Sequence, residues 1–143
     1  MPTEHCIDIL LIDDDDGHAL LVHESLQDAG LRNTFERARD GAEGWQWLSE
    51  AAIGRRRRPG LVLLDVSMPG LDGFEVLERI KSSDRLKNIP VIMLTSTDAS
   101  REIDRCYRLG ANAYIVKPVD FDSLHQKVRT LGLFLQIIEI TDS

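Results

Sequence analysis

The chain has 143 residues, 43% of them hydrophobic and 29% charged, which suits one globular domain with a proper core. Its 24 acidic against 17 basic residues leave a formal charge of −7, and that balance argues against general binding to nucleic acid or an anionic membrane surface. No apolar run approaches the roughly 20 residues of a membrane span, and the N-terminus lacks the basic-then-apolar order of a secretory signal. Cys6 and Cys106 form neither a CxxC pair nor a metal spacing, so reduced thiols in a cytoplasmic protein are expected.

Ile7-Asp8-Ile9-Leu10-Leu11-Ile12 reads as a first buried strand, and it runs into four carboxylates, Asp13, Asp14, Asp15 and Asp16. Like charges this close repel unless a cation neutralises them. Asp15 or Asp16 is placed to cap the next helix, near its positive dipole end. A cap accounts for one or two acids, not for four directly after a buried strand. A calcium loop fits poorly, because Gly17 falls in the wrong place for the D-x-D-x-D-G pattern. Ala19, Val22, Leu26 and Ala29 then recur at helical spacing, with Gly30 closing the helix. A weaker strand over 33–38 is expected towards a sheet edge. Asp40-Gly41 marks a turn, and Ala42, Trp45, Leu48 and Ala52 give the face of a second helix. Trp45 and Trp47 read as packing.

The one basic run, Gly54-Arg55-Arg56-Arg57-Arg58-Pro59-Gly60, is bounded by Gly and Pro and reads as a solvated loop rather than a docking site. Leu61-Val62-Leu63-Leu64-Asp65 follows. Four apolar residues running into one carboxylate, then Pro69 and Gly70, suit a strand buried on both faces of a parallel sheet. Taken alone, Asp65 serves equally as a turn opener or as a charge at the ligand-binding rim of an α/β sheet. Phe74, Leu77 and Ile80 mark a third helix, and Val91-Ile92-Met93-Leu94 a fourth strand ending at Thr95-Ser96-Thr97. Ile103, Cys106 and Tyr107 mark a fourth helix. Ala113-Tyr114-Ile115-Val116 is a fifth strand ending at Lys117-Pro118, and Leu124, Val128, Leu131, Leu135 and Ile138 lie on a last helix. His5, His18, His23 and His125 show no metal spacing and are expected at the surface.

Strand then helix, five times over, is the signature of a parallel sheet covered on both faces. Asp13, Asp14, Asp65, Thr95 and Lys117 all end strands, so they converge on one rim. The acids can hold a hard divalent ion, for which Mg2+ is the natural choice, because it takes few carboxylates and keeps waters that a phosphate can replace. Lys117 offers a mobile cation and Thr95 a hydroxyl to phosphoryl oxygens. One carboxylate can then act as nucleophile towards phosphorus. Neither GxxxxGK[ST] nor GxGxxG occurs, so the phosphoryl group must come from a partner or a small donor.

Four motifs carry a resemblance over nearly the whole chain. They are Ile9-Leu10-Leu11-Ile12-Asp13-Asp14-Asp15; Leu63-Leu64-Asp65-Val66-Ser67-Met68-Pro69-Gly70-Leu71-Asp72-Gly73; Ile89-Pro90-Val91-Ile92-Met93-Leu94-Thr95-Ser96; and Gly110-Ala111-Asn112-Ala113-Tyr114-Ile115-Val116-Lys117-Pro118. Together they resemble the receiver domain of two-component response regulators. The resemblance implies a flavodoxin-like (βα)5 doubly wound sheet of order 2-1-3-4-5. It implies that Asp65 accepts phosphate from a sensor histidine kinase, and that Asp13, Asp14, Asp65 and the backbone carbonyl of Ser67 hold Mg2+, Asp14 being the surer direct ligand. It makes Thr95 the switch hydroxyl, Lys117 the phosphate-pairing cation and Tyr114 the aromatic switch, with the surface of the fourth helix, fifth strand and fifth helix as output. Ser67 and Thr97 stand where the family tunes dephosphorylation.

The receiver is expected over 1–129, with no output domain after it. Residues 130–143 form an unusually apolar extension: Leu131, Leu133, Phe134, Leu135, Ile137, Ile138 and Ile140 exceed the single stripe a surface helix needs. Burial against a second copy is one reading, folding back on the domain the other. The Arg-rich loop, the length and this tail resemble the stand-alone regulators of bacterial phytochrome kinases, which form homodimers. Two other functions compete. A metal-dependent phosphatase with an aspartate nucleophile would want D-x-D, and Ser67 stands at its second acid. A pseudo-receiver would lack site residues, and none is missing. The expectation is therefore a switch, not an enzyme, with at most self-directed phosphotransfer and autodephosphorylation.

Overall fold

The computed structural model describes residues 8–28, 35–95 and 99–116. Its elements alternate as expected: β1 (Ile9–Ile12), α1 (Asp16–Asp28), β2 (Phe35–Ala38), α2 (Gly41–Ala52), β3 (Leu61–Asp65), α3 (Gly73–Ser82), β4 (Val91–Thr95), α4 (Ser100–Arg108) and β5 (Ala113–Val116). The strands form one parallel sheet of order β2-β1-β3-β4-β5. This is the flavodoxin-like order expected, with the weak β2 at an edge. The fifth helix and the apolar extension expected after β5 lie outside the described residues. Among the described residues no helix is long and apolar enough to cross a membrane.

Burial on both sides explains why the central strands read as unbroken apolar runs. Alternate residues of each strand enter opposite cores. Leu10, Ile12, Val62, Leu64, Val91 and Met93 pack with Leu48 of α2, Leu77 and Ile80 of α3 and Cys106 of α4. Ile9, Leu11, Leu61, Leu63, Ile92 and Leu94 pack with Ala19 and Val22 of α1. The register sets Ile12 beside Leu64 and Asp65 beside Leu94. The carboxyl ends of the three central strands therefore lie together at one rim.

Two helix faces differ from expectation. Helix α2 buries Gly41, Gly44, Leu48 and Ala51, while Ala42 is exposed. Its inner face is turned by about one residue from the Ala42, Trp45, Leu48, Ala52 stripe, because glycines form it. A Cβ on Gly44 would stand 2.5 Å from Ile12 Cδ1, and one on Gly41 would meet the Leu71 carbonyl oxygen. Apolar periodicity is blind to a face built from missing side chains. In α4 only Cys106 is buried, and Tyr107 lies exposed with its ring edge-on to Tyr114, centroids 6.0 Å apart. Trp45 and Trp47 pack against the core as expected.

Candidate functional site

Asp13 directly follows β1, and Asp65 and Thr95 are the last residues of β3 and β4. They are the buried polar or charged side chains among the described residues, at 0%, 2% and 0% exposure. Asp14 is exposed beside them. Asp13, Asp14 and Asp65 each offer a carboxylate oxygen within 4.8 Å of the others. The structure thus brings together the three acids singled out from the sequence, with Thr95 at the end of the strand next to β3. Ser67 is exposed, and its amide donates to Asp65 Oδ1 at 3.2 Å. Tyr114 is half-buried on β5, paired with Met93. Lys117, Ser96 and Thr97 lie outside the described residues.

Local sequence explains this convergence. Asp72 caps α3, accepting from the Glu75 amide at 2.9 Å. Gly73 starts that helix against β3, where a Cβ would lie 2.2 Å from the Asp65 carbonyl oxygen. No larger residue lets the helix begin so close to the acceptor strand. Gly70, at φ +76°, supplies the left-handed turn between them. Asp15, one of the two expected caps, accepts from the His18 amide at 2.9 Å and opens α1.

Two residues that sequence reasoning did not assign to the site hold its acidic loop. The His18 ring donates from Nδ1 to Asp13 Oδ2 at 2.6 Å, and its side chain is only 11% exposed. The expectation of a surface histidine is therefore corrected: the first turn of α1 folds back over the loop and carries the ring inward. His23 is half-buried too, stacked on Phe35 with ring centroids 4.3 Å apart. Arg37 on β2 donates from Nε and Nη2 to the Asp13 carbonyl oxygen at 3.1 and 2.8 Å, and from Nη1 to Asp16 at 2.6 Å. That hydrogen bond and the guanidinium charge hold the Asp16 carboxyl below its usual range. Arg37 is the one cation within β2, and its neighbours Glu36 and Ala38 give no signal of the contact.

The donor set fits a hard divalent cation, with three carboxylates converging and two of them buried. Gathering negative charge in low dielectric is costly until a cation shares it.

The model of the response regulator receiver domain matches residues 9–129. The chain belongs to the response regulator receiver domain family. This receiver is 37% identical to the probable methanogenesis regulatory protein FilR2 of Methanothrix harundinacea over 123 residues, covering 86% of this chain and 79% of that one. Its backbone matches the phosphorylated cyanobacterial phytochrome response regulator RcpA with a TM-score of 0.83 at 32% identity, covering 92% and 94% of the two chains. The Mn2+-bound response regulator Rcp1 matches with a TM-score of 0.80 at 32% identity, covering 90% and 93%. Several other curated relatives are longer, and the chain spans about half their length. Receiver domains are the phosphoacceptor switches of two-component signalling, and they bind Mg2+ at an acidic pocket.

Proposed function

We propose that this receiver is a phosphorylatable switch in which Asp65 takes a phosphoryl group from a phosphohistidine on a sensor histidine kinase. One observation carries the reading: a carboxylate 2% exposed at the end of a central strand, within 4.8 Å of two more. An Asp65 carboxylate oxygen attacks phosphorus, the phosphorus–nitrogen bond of the donor breaks, and the leaving imidazole takes a proton from solvent. Mg2+, held by Asp13, Asp14, Asp65 and the Ser67 carbonyl, supplies charge neutralisation to the phosphoryl oxygens. Asp13 and Asp14 would draw that ion to the acceptor, Asp14 being the surer direct ligand. Thr95 donates to one phosphoryl oxygen, and Lys117, assigned by its motif, pairs with another.

The acyl phosphate adds roughly 1.5 to 2 negative charges at the rim. Thr95 moves to meet it, and the Tyr114 ring follows into the vacated space. This shifts the population of the surface formed by α4, β5 and the helix expected after them. The output is contact with another protein, not turnover of an external substrate. Likeness to RcpA supports a phytochrome-type kinase as the donor. The cell compartment that fits is the cytoplasm, with neither nucleic acid nor membrane as partner.

The test is intact-protein mass after incubation with Mg2+ and acetyl phosphate, beside Asp65→Asn. The parent gains one phosphoryl group and the variant none. No gain in the parent, where a control receiver is modified, sinks the reading in favour of a pseudo-receiver. Turnover of phosphomonoesters by the purified protein would revive the phosphatase. We further propose that residues 130–143 pair two copies of a receiver spanning 1–129. Light scattering then gives the full chain twice the mass of a chain ending at Arg129, and equal protomer counts refute the pairing.

A further inference from the structure

We propose that His18 is a positioning residue for the cation site: it fixes the buried Asp13 carboxylate in a receptive orientation and thereby sets the site's affinity for a divalent ion. The inference rests on reading Asp13, Asp14 and Asp65 as that site.

Asp13 is fully buried, so the orientation of its carboxylate is set by protein donors. The Asp15 amide donates to Oδ1 at 3.0 Å, and His18 Nδ1 to Oδ2 at 2.6 Å. A carboxylate accepts only, so the ring nitrogen that faces it carries the proton. The two oxygens offer about four acceptor positions. These two donors, one on each oxygen, fix the plane of the carboxylate. The ring is itself held, because the His18 amide is tied to Asp15 Oδ1 at 2.9 Å and the side chain is largely enclosed. Asp15 thus anchors His18, and His18 anchors Asp13, within one turn of chain. Arg37 grips the same residue elsewhere, at its carbonyl oxygen. Loop position and carboxylate angle therefore have separate holders, and only the angle depends on His18.

Groups that orient metal-binding carboxylates typically change affinity by about 10- to 100-fold when removed. In His18→Ala the carboxylate loses its donor on Oδ2 and is held less firmly towards the cation, so binding weakens. The kind of side chain that restores it identifies the role. In Asn the amide nitrogen is bonded to Cγ, as Nδ1 is in His. In Gln it lies one bond further out, although Gln matches the volume of His better. Positioning through Nδ1 requires rescue by Asn. A space-filling role requires rescue by Gln.

The experiment is Mn2+ titration of the full chain by the free-ion electron paramagnetic resonance signal, at one pH. The parent, His18→Ala, His18→Asn and His18→Gln are compared, and thermal unfolding in EDTA confirms that each is folded. The expected result is about a tenfold weaker dissociation constant for Ala, a similar loss for Gln, and near-parental binding for Asn. Equal or tighter binding by His18→Ala overturns the inference, as does rescue by Gln but not Asn. Should Ala fail to fold, the order of Asn and Gln decides. If the parent takes up no Mn2+, the cation reading itself falls and this role with it. Parental binding without an Ala effect removes only the role of His18.

Discussion

At the carboxyl end of the sheet, Asp13, Asp14 and Asp65 bring like charges within 4.8 Å, two of them buried. At the amino end, the arginine-rich loop before β3 is exposed and its charges alternate with acceptors. Arg56 pairs with Glu50 at 2.6 Å and lies over the Trp47 ring at 5.1 Å, Arg57 meets Asp8 at 3.3 Å, and Arg58 donates to the Arg85 carbonyl oxygen at 2.7 Å. By sequence both ends are runs of four like charges. Folding separates them: the arginines stay at the surface among acceptors, whereas the acidic run sends Asp13 inward beside the buried Asp65, with the exposed Asp14 at their edge. A run of charge points to chemistry only when the fold sets part of it beside other buried charge.

The comparison breaks most visibly under metal removal. If the acidic end is built around a divalent cation, Mg2+ at about a hundred times its dissociation constant should raise the free energy of unfolding by about 2.7 kcal/mol over EDTA. Asp65→Asn should abolish most of that gain while raising stability in EDTA, because it deletes one of three gathered charges. Urea unfolding of both proteins with and without Mg2+ measures this. Equal Mg2+ stabilisation of parent and Asp65→Asn would show that the ion binds elsewhere.

The amino end should respond far less. Arg56 and Glu50 are partly exposed, so Arg56→Ala should cost about 0.5 kcal/mol, within the range of solvent-screened pairs, and leave phosphorylation by acetyl phosphate unchanged. The same denaturant curves and the intact-mass assay check it. A loss above about 2 kcal/mol would make the loop a structural staple, which surface pairs are not.

How legible each end was follows from the kind of residue that builds it. The apolar runs Ile9–Ile12 and Leu61–Asp65 announced their burial, and a carboxylate ending such a run announced the rim, so the three acids and Thr95 could be placed before any coordinates. The inner face of α2 was misread because Gly41 and Gly44 pack by close backbone approach, which leaves no apolar signal. His18 and Arg37 were missed for another reason. Each reaches Asp13 across a turn or a strand pair, through one or two hydrogen bonds that no periodicity encodes. Their signal is pairwise and spatial, and one sequence carries little of it.

The smallest effect tests whether the acidic loop owes its order to Arg37. Asp16 is exposed, and Arg37 lowers its pKa first by the hydrogen bond from Nη1 and then by its charge. The ordinary value is 3.8. A carboxyl depressed in the folded state adds stability that is present above 3.8 and is lost as pH falls through its lowered value. In Arg37→Met the Asp16 carboxyl carbon, followed by NMR, should therefore titrate at higher pH than in the parent. The acid limb of the stability curve should lose its Asp16 share, which exposure keeps small. Such a shift without change in Mg2+ affinity would confine Arg37 to holding the loop. A coupled loss of affinity would extend the brace from Asp16 through the Asp13 carbonyl to the cation site. An unshifted Asp16 would mean that the ion pair does not persist in solution, and Arg37 would then brace the loop only through the Asp13 carbonyl oxygen.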